Sequence, residues 1–430
     1  MRAATQCSAV ESVAERFKAT RARTLELCAP LTPEDMMVQS CAEASPVKWH
    51  LAHTAWFFES FILREFLPGY RLFNQDFPWL FNSYYQSFAA FPDKKLRASF
   101  SRPGIDAVLA YREHVDRGVH QLLDYLRDEA PTHDALKRIE LGANHEEQHQ
   151  ELLLTDILHA FSTNPLRPAY RPADSTQVEN KAPQLEFTSF DGGLHEAGHA
   201  GDDFCFDNEM PRHRVWLEPF SLANRLVTCG EFAAFMADGG YKRPELWLSA
   251  GWDAVRANGW RAPLYWSDGD GAWSVFTLRG ELPLSELNAV PVSQISLFEA
   301  DAYARWAGRR LPTEFEWEAA ASSRPLHANL KIDGNLLDSG PLRPMPAEQA
   351  ATLTQLWGDC WEWTASAYLG YPGFQPLGGA LGEYNGKFMS GQMVLRGGSC
   401  VTPAAHIRAT YRNFFPPDTR WQFSGIRLAL

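Results

Sequence analysis

The sequence has little positive charge and no long apolar run. Its 40 Lys and Arg residues stand against 52 Asp and Glu residues, which gives a formal net charge of -12. Broad nucleic-acid binding needs clustered cations, so this balance argues against such a protein. No window approaches the roughly eighteen uninterrupted apolar residues of a membrane span, and the N-terminus lacks the pattern of a secretory signal. We therefore expect a cytoplasmic protein with no nucleic-acid or membrane partner.

The sequence also lacks paired cysteines. Its seven cysteines are an odd number, lie scattered along the chain and include no CxxC pair. This distribution is typical of reduced thiols and excludes a disulfide framework or a cysteine-rich zinc site. What is present is a globular composition, with 430 residues of which 45% are hydrophobic and 21% charged, enough for two domains.

The first part of the chain, residues 1–165, has apolar residues at helical spacing and few glycines. The pattern predicts a four-helix bundle whose second helix has Ser45 as its N-cap and Pro46 as its first residue. Bundle cores are a usual place for metal sites built from facing helices. The predicted helices are Ser8–Ala29, Pro46–Phe66, Gly104–Arg127 and His133–Phe161.

The remainder of the chain has a different composition. Residues 166–185 are rich in proline and polar residues and are interpreted as a linker. Residues 186–430 are rich in Gly, Trp and short apolar runs, which predicts a mixed domain with many loops. Its predicted helices are Thr228–Ala237, Ser296–Ala307 and Glu314–Ser322. The fold class expected is a two-domain α+β protein.

The segment NHEEQHQELLL carries two histidines, His145 and His149, four residues apart on one predicted helix. Imidazoles at this spacing lie about 6 Å apart on one helix face and can bind one metal ion, but they need a third ligand. The segment SPVKWHLAHTAWFFESF offers His50 and His53, and the small neighbours of His53 leave room for a metal. Three imidazoles without a carboxylate suit Zn, Fe, Ni or Cu, so the ligands alone do not identify the metal.

Together, SPVKWHLAHT and HEEQHQELLL resemble the DinB-type iron-binding domain of the ergothioneine-biosynthesis sulfoxide synthases. The motifs RRLPTEFEWEAAA, WGDCWEWTASAY, GEYNGKF, MVLRGGSC, RATYRNFF and GIRLAL resemble the formylglycine-generating-enzyme-like domain of the same family, a C-type-lectin-related fold that completes the active site. The resemblance implies that His53, His145 and His149 hold Fe(II), which activates dioxygen and joins a sulfur donor to C2 of the imidazole of hercynine. It gives His50 no ligand role, so His50 is expected to support the structure or the ligands.

The resemblance also implies roles for other residues. A tyrosine of LFNSYYQ, either Tyr84 or Tyr85, is expected to act near the iron as a proton donor. Hercynine carries a trimethylammonium group, an imidazole and a carboxylate, which require aromatic and polar contacts. The expected substrate-binding residues are Gln148, Tyr384, Asn413, Phe414, Phe415, Arg97 and Arg102.

Three departures from the family pattern bear on the sulfur or selenium donor. Formylglycine-generating enzymes use a cysteine pair after RGGS, whereas this chain has only Cys400, so sulfatase activation is not expected. Leu381 and Phe415 stand where synthases that use γ-glutamylcysteine carry Tyr and Asp. The arginine-rich loop of the cysteine-using synthases is replaced by QSFAAFPDKKLRASFSRP. Leu381 and Phe415 thus point to a donor other than γ-glutamylcysteine, and the altered loop favours the related selenoneine synthases, which join a selenosugar to hercynine, over synthases that use cysteine.

Two other functions remain open at this point. DinB-type folds also serve zinc-dependent thiol transferases, in which three histidines activate a low-molecular-weight thiol without consuming oxygen. The C-terminal part could alternatively be a non-catalytic lectin-like module, although its tryptophans are interpreted as the core of a loop-rich domain.

Overall fold

The computed structural model describes residues 2–128, 133–172, 180–269, 271–323, 334–348 and 353–430. Within the predicted linker, residues 173–179 lie outside the described residues. The chain divides into two compact units. One, the helical unit, comprises Met1–Thr163 and Gly378–Glu383, and the other, the mixed unit, comprises Asn164–Leu377 and Tyr384–Leu430.

The helical unit contains the four long helices that the sequence predicts. A π-helical turn, Glu59–Leu63, and a short helix, Arg64–Phe66, continue the second long helix, and shorter helical segments are Phe77–Leu80 and the 3-10 segment Lys94–Ser99. The long helices are α1 Arg2–Cys28, α2 Val47–Phe58, α3 Ile105–Tyr125 and α4 Asp134–Thr163.

Helix α2 is the centre of the helical unit. Every one of its twelve residues is buried, including the polar residues Lys48, His50 and His53. It packs against α3 and α4, and α4 also packs against α1. Gly142 of α4 allows this approach, because a Cβ atom there would lie 2.6 Å from the ring of Phe58.

The predicted start of α2 is wrong by one residue. Pro46 is the N-cap with an extended backbone, and the helix begins at Val47. Ser45 does not cap the helix, because its backbone N–H donates to Asp156 and its hydroxyl accepts a hydrogen bond from Arg97. The side chain of Ser45, which the sequence predicts as a local cap, therefore takes part in a tertiary hydrogen bond instead.

The mixed unit consists of small sheets with helices between them. The helices Thr228–Ala237, Ser296–Ala307 and Glu314–Ser322 predicted from sequence are present within one residue at each end, and the helix Ser249–Asn258 was not predicted. The helices are α5 Cys229–Ala237, α6 Ser249–Asn258, α7 Leu297–Trp306 and α8 Glu314–Ser322, followed by the short helix Glu383–Gly386. The strands are β1 Phe187–Phe190, β2 Gly193–Ala197, β3 His213–Leu217, β4 Phe220–Ala223, β5 Trp266–Gly269, β6 Ala272–Thr277, β7 Gly280–Pro283, β8 Trp361–Ala367, β9 Met393–Arg396, β10 Asn413–Phe415 and β11 Ser424–Gly425.

The main sheet of the mixed unit has the order β10-β9-β8-β11, and only the β8–β11 pair is parallel. The other sheets are the pairs β1–β4 and β2–β3 and the meander β5-β6-β7. Trp317, Trp361 and Trp363 are at most 1% exposed, which confirms that these tryptophans form core and not a carbohydrate platform. The two-domain α+β class is confirmed.

Buried ion pairs join segments of the mixed unit that are distant in the chain. Arg427 donates to both carboxylate oxygens of Glu362, and Trp317 donates to the same carboxylate. Arg396 and Arg412 both bind Glu314 on α8. Since an unpaired buried charge is strongly destabilising, removal of one partner from any of these pairs should cost stability. No helix among the described residues is long and apolar enough to span a membrane.

Candidate metal centre

Helices α2 and α4 bring His53, His145 and His149 together. One ring nitrogen from each lies within 4.8 Å of the other two, close enough for the three to hold a metal ion. His53 and His145 are buried, and His149 is partly exposed. The ring centroids of His53 lie 5.1 Å from His145 and 4.9 Å from His149. The spacing of His145 and His149 predicts that they share one helix face, and the family resemblance implies His53, not His50, as the third ligand.

The ring of His53 is held in a defined orientation. Its Nδ1 lies 2.6 Å from the backbone carbonyl of Phe81, which can only accept, so Nδ1 carries the proton and donates. The ring is stacked between Trp49, 4.3 Å away, and Trp56, 5.1 Å away. The unprotonated Nε2 of His53 is therefore the nitrogen available as a ligand.

The two histidines of α4 face one another through Nε2. These nitrogens lie 3.2 Å apart. Two nitrogens that each bind one ion at about 2.1 Å are about 3.0–3.4 Å apart at octahedral and tetrahedral angles, so the observed distance fits a shared metal. The Nδ1 of His145 is buried and has no hydrogen-bond partner among the described residues.

The environment keeps the three imidazoles neutral. Burial lowers the pKa of His145 to about 3. Burial, together with the neighbouring His145, also holds the pKa values of His53 and His149 well below the ordinary histidine value. Metal ligation requires an unprotonated ring nitrogen, so the rings are ready to bind a cation near neutral pH.

A buried carboxylate lies directly beside the site but belongs to a structural network. Glu146 is fully buried and binds Arg21 and Arg112. Burial alone would raise the pKa of Glu146, but the two guanidinium groups outweigh it and hold the pKa at about 2. The Glu146 carboxylate is thus neutralised by arginines, and the candidate ligand set consists of imidazoles alone.

The guanidinium of Arg97 acts electrostatically on His53 and His149. The guanidinium lies 3.4 Å above the ring of Trp49, which stacks on His53. One terminal nitrogen donates to Ser45 and the other to Ser83, each at 2.8 Å. Burial lowers the pKa of Arg97 to about 10. Arg102, the other loop arginine predicted to bind substrate, is exposed.

The two candidate tyrosines lie in different surroundings. Tyr85 is 3% exposed, and its ring packs 5.0 Å from Phe61 and 5.6 Å from Trp56. Tyr84 is partly exposed, and it interacts electrostatically with Arg97. Gln148 is partly exposed on α4 and directly precedes His149.

The substrate-binding residues predicted in the mixed unit lie around β10. The ring of Phe414 stacks on Tyr368 at 4.1 Å and lies 5.7 Å from Phe388, which in turn lies 5.9 Å from Tyr384. This aromatic group therefore brings Tyr384 and Phe414 into one cluster.

Two further predicted residues flank Phe414 on the same strand. The ring of Phe415 packs 5.4 Å from that of Trp421. Successive strand residues point to opposite faces, so Phe415 lies on the face opposite to Phe414. The side-chain oxygen of Asn413 accepts a hydrogen bond from the N–H of Phe414.

The sequence predicts only a general supporting role for His50 and does not identify Asp156. The Nδ1 of His149 lies 2.8 Å from Nδ1 of His50, and Nε2 of His50 lies 3.0 Å from Asp156. The available signal was spacing, since Asp156 is two helical turns beyond His149 and His50 is one turn before His53.

The comparisons with known proteins cover both units. A family profile described as the DinB superfamily matches residues 16–153, and one described as the sulfatase-modifying factor enzyme 1-like domain matches residues 173–430. The hercynine oxygenase of Mycobacterium tuberculosis is 31% identical over 449 residues, covering 97% of this chain and 98% of that protein. The hercynine oxygenase of Mycolicibacterium smegmatis is 31% identical with the same coverage. Ergothioneine biosynthesis protein 1 of Schizosaccharomyces pombe is 27% identical over 260 residues, which cover 59% of this chain and 31% of that protein.

Proposed function

The chain belongs to the hercynine oxygenase family, and on that basis we propose that it is an O2-dependent mononuclear non-haem iron enzyme that forms a carbon–chalcogen bond at C2 of the imidazole of hercynine. The observation that carries the proposal is the group of three neutral imidazoles at α2 and α4, in a chain that matches hercynine oxygenases over almost its full length. That match supports oxygen chemistry over the zinc-dependent thiol transferase and the lectin-like module.

His53, His145 and His149 are the residues we propose to hold Fe(II). A neutral set of three nitrogen ligands leaves positions open for substrates, and bound iron would supply electron transfer between the donor and dioxygen. The helices supply the ligands at fixed spacing, and the hydrogen bond to Phe81 means that the ring of His53 does not have to reorganise when the ion binds.

The overall reaction balances in the same way for a selenol and for a thiol donor. Hercynine loses the hydrogen on C2 and the donor loses its Se–H or S–H hydrogen as the C–Se or C–S bond forms. One oxygen atom of dioxygen ends on selenium or sulfur as a selenoxide or sulfoxide, and the other leaves as water with the two hydrogens. Proton delivery decides between bond formation and simple oxidation of the donor, and we propose a tyrosine of the pair Tyr84 and Tyr85 for that role.

Hercynine recognition is proposed for Gln148 and for residues around β10. The trimethylammonium group is a permanent cation, for which aromatic faces such as those of Tyr384 and Phe414 are favourable partners. Gln148 and Asn413 carry amide groups that can hydrogen-bond the imidazole or the carboxylate.

For the donor, we propose a selenosugar, with cysteine as the second candidate. A carboxylate clamp needs arginine forks that are free to bind bidentately. Both terminal nitrogens of Arg97 already donate to serine hydroxyls, and Arg102 is exposed. Phe415 puts an apolar ring where γ-glutamylcysteine-using synthases carry an Asp. These features support a donor that needs no amino-acid clamp. Single hydrogen bonds to sugar hydroxyls remain available from Arg102 and from the second N–H on each terminal nitrogen of Arg97.

A competition assay tests the reaction and the donor together. The Fe(II)-loaded protein is given hercynine and dioxygen with equal amounts of a selenosugar, cysteine and γ-glutamylcysteine, and the products are identified by mass spectrometry. We expect the hercynine–selenium adduct to predominate. A sulfur adduct as the main product would replace the donor assignment, and no hercynine adduct from any donor would reject the proposed reaction.

The His149→Ala variant tests the metal assignment. We expect it to lose iron binding and product formation while its circular dichroism stays that of a folded helical protein, because His149 is partly exposed. Product formation at the parent rate in this variant would reject His149 as a ligand.

A further inference from the structure

A buried chain of hydrogen bonds leads from His149 to a carboxylate. Nδ1 of His149 lies 2.8 Å from Nδ1 of His50, and Nε2 of His50 lies 3.0 Å from Oδ2 of Asp156. The same Oδ2 accepts the backbone N–H of Ser45 at 2.8 Å. His50 is 2% exposed and Asp156 is 6% exposed, so water does not compete freely for these bonds.

The chemistry of these groups fixes the direction of each bond. An ionised carboxylate only accepts, so Nε2 of His50 donates to Asp156. A neutral His50 then has no proton on Nδ1, which must accept. The partner nitrogen, Nδ1 of His149, therefore carries the proton and donates, and Nε2 of His149 is left with its lone pair toward His145.

We propose that His50 and Asp156 are positioning residues that select the Nδ1–H tautomer of His149 and transmit the negative charge of the carboxylate to it. The inference rests on the proposed metal site, and it assigns to that site a support of two linked side chains. A carboxylate behind a histidine ligand fixes the ring orientation and makes the ligand nitrogen more basic. Here the carboxylate acts through a second imidazole.

The three ligands thus receive unequal support. Nδ1–H of His53 donates to a neutral carbonyl, that of Phe81. His149 is linked to a charged group, and Nδ1 of His145 has no partner among the described residues. His149 should therefore be the ligand whose affinity depends most on side chains beyond the site, and the dependence should be visible without turnover.

The tautomer can be observed directly. In the full-length protein loaded with Zn2+, a long-range 1H–15N spectrum distinguishes a protonated Nδ1 from a protonated Nε2 for each histidine. We expect His149 to show a protonated Nδ1 with slow solvent exchange, and this signal to exchange fast or disappear in His50→Phe. A protonated Nε2 at His149 in the zinc-loaded parent would overturn the proposal.

The Zn2+ dissociation constant, measured by competition with a chromophoric chelator, tests the same idea in energetic terms. Loss of such supporting partners typically weakens metal binding about 10–100-fold, and we expect His50→Phe to fall in this range. His50→Asn should recover part of the affinity, because the side-chain oxygen of Asn lies near the position of Nδ1 and can accept from His149. Asp156→Asn, which keeps the shape and removes the charge, should give a smaller loss than His50→Phe.

The matched control is Glu147→Gln. Glu147 is a buried carboxylate on the same helix, but it binds Arg16 and Thr20 on α1. We expect no change in zinc affinity or in the His149 spectrum. Equal losses in Glu147→Gln and Asp156→Asn would mean that the effect is general destabilisation and would overturn the proposal. These tests use no substrate. A protein that passes them and still forms no hercynine adduct would contradict the proposed function and leave the roles of His50 and Asp156 intact.

Discussion

At the scale of single residues, the site depends on which ring nitrogen carries the proton. The four-residue spacing of His145 and His149 predicts two imidazoles on one face, and the structure adds that their Nε2 atoms are 3.2 Å apart. The sequence could not supply this, because the tautomer of each ring is set by a partner distant in the chain. For His53 that partner is the carbonyl of Phe81.

The tyrosine pair gives a prediction at this scale. We expect Tyr84→Phe to shift the product ratio toward oxidised, uncoupled donor, because Tyr84 is partly exposed and interacts with Arg97. Tyr85 is buried against Phe61 and Trp56, so Tyr85→Phe should leave the ratio unchanged. The ratio of coupled to uncoupled product is read by mass spectrometry. The opposite pattern would assign the proton donor to Tyr85, and an unchanged ratio in both variants would remove the role from the pair.

Asp359 of the mixed unit gives a pH-dependent prediction. Burial raises the pKa of Asp359 to about 6, although hydrogen bonds from Asn335 and Met345 act in the opposite direction. The folded protein therefore holds this proton more tightly than the unfolded chain, whose Asp has a pKa of about 3.9, so stability falls as the pH rises from about 4 to about 6. Asp359→Asn removes the buried charge and suits the positive φ of 54° at this position.

We expect the melting temperature of Asp359→Asn to exceed that of the parent at pH 8, with the difference shrinking toward pH 4. The measurement uses metal-free protein, so that metal loss at low pH does not contribute. Asp253→Asn, at an exposed position on α6, should show a difference that does not vary with pH in this way. A constant difference for Asp359→Asn would contradict the raised pKa.

At the scale of elements, the long helices follow from the sequence and their close contacts do not. Apolar periodicity predicts α1 to α4 to within a few residues, except that α1 begins at Arg2 instead of Ser8. It does not predict that α2 is buried on all sides. Nor does it predict that Ser45 forms hydrogen bonds with Asp156 and Arg97 instead of capping the helix. Such features depend on neighbours that only the folded chain brings together.

Gly142 tests the contact between α2 and α4. An alanine in a helix interior usually stabilises relative to glycine by about 1 kcal/mol, but here its Cβ would lie 2.6 Å from the buried ring of Phe58. We expect Gly142→Ala to destabilise the protein by about 1–3 kcal/mol, as overpacking does, and to weaken zinc binding because it separates the helices that carry the histidines. Denaturant unfolding and chelator competition measure the two effects.

Gly118→Ala is the comparison for that variant. Its Cβ would meet Leu63 at 2.9 Å, a similar overlap on α3, which carries none of the candidate ligands. It should cost stability and leave the zinc dissociation constant unchanged. If Gly142→Ala bound zinc as tightly as the parent, the spacing of α2 and α4 would not be what holds the three histidines together.

At the scale of the whole molecule, the sequence motifs identify the family better than any single element does. The change from helical periodicity to short, glycine-rich and tryptophan-rich segments predicts two domains, and both family profiles match in that order. The small sheets of the mixed unit were not predicted strand by strand, because strands of two to seven residues give weak periodic signals. Buried ion pairs such as Arg427 with Glu362 join distant segments of the chain, and the pattern of apolar residues does not predict these contacts.

The most direct measurement is oxygen uptake by the protein reconstituted anaerobically with one equivalent of Fe(II) and then exposed to dioxygen with hercynine and the donor mixture. We predict uptake that requires iron and hercynine together, is absent when Zn2+ replaces iron, and is lost in His149→Ala. Uptake that does not depend on hercynine, or product formation that proceeds equally well with zinc, would contradict this prediction.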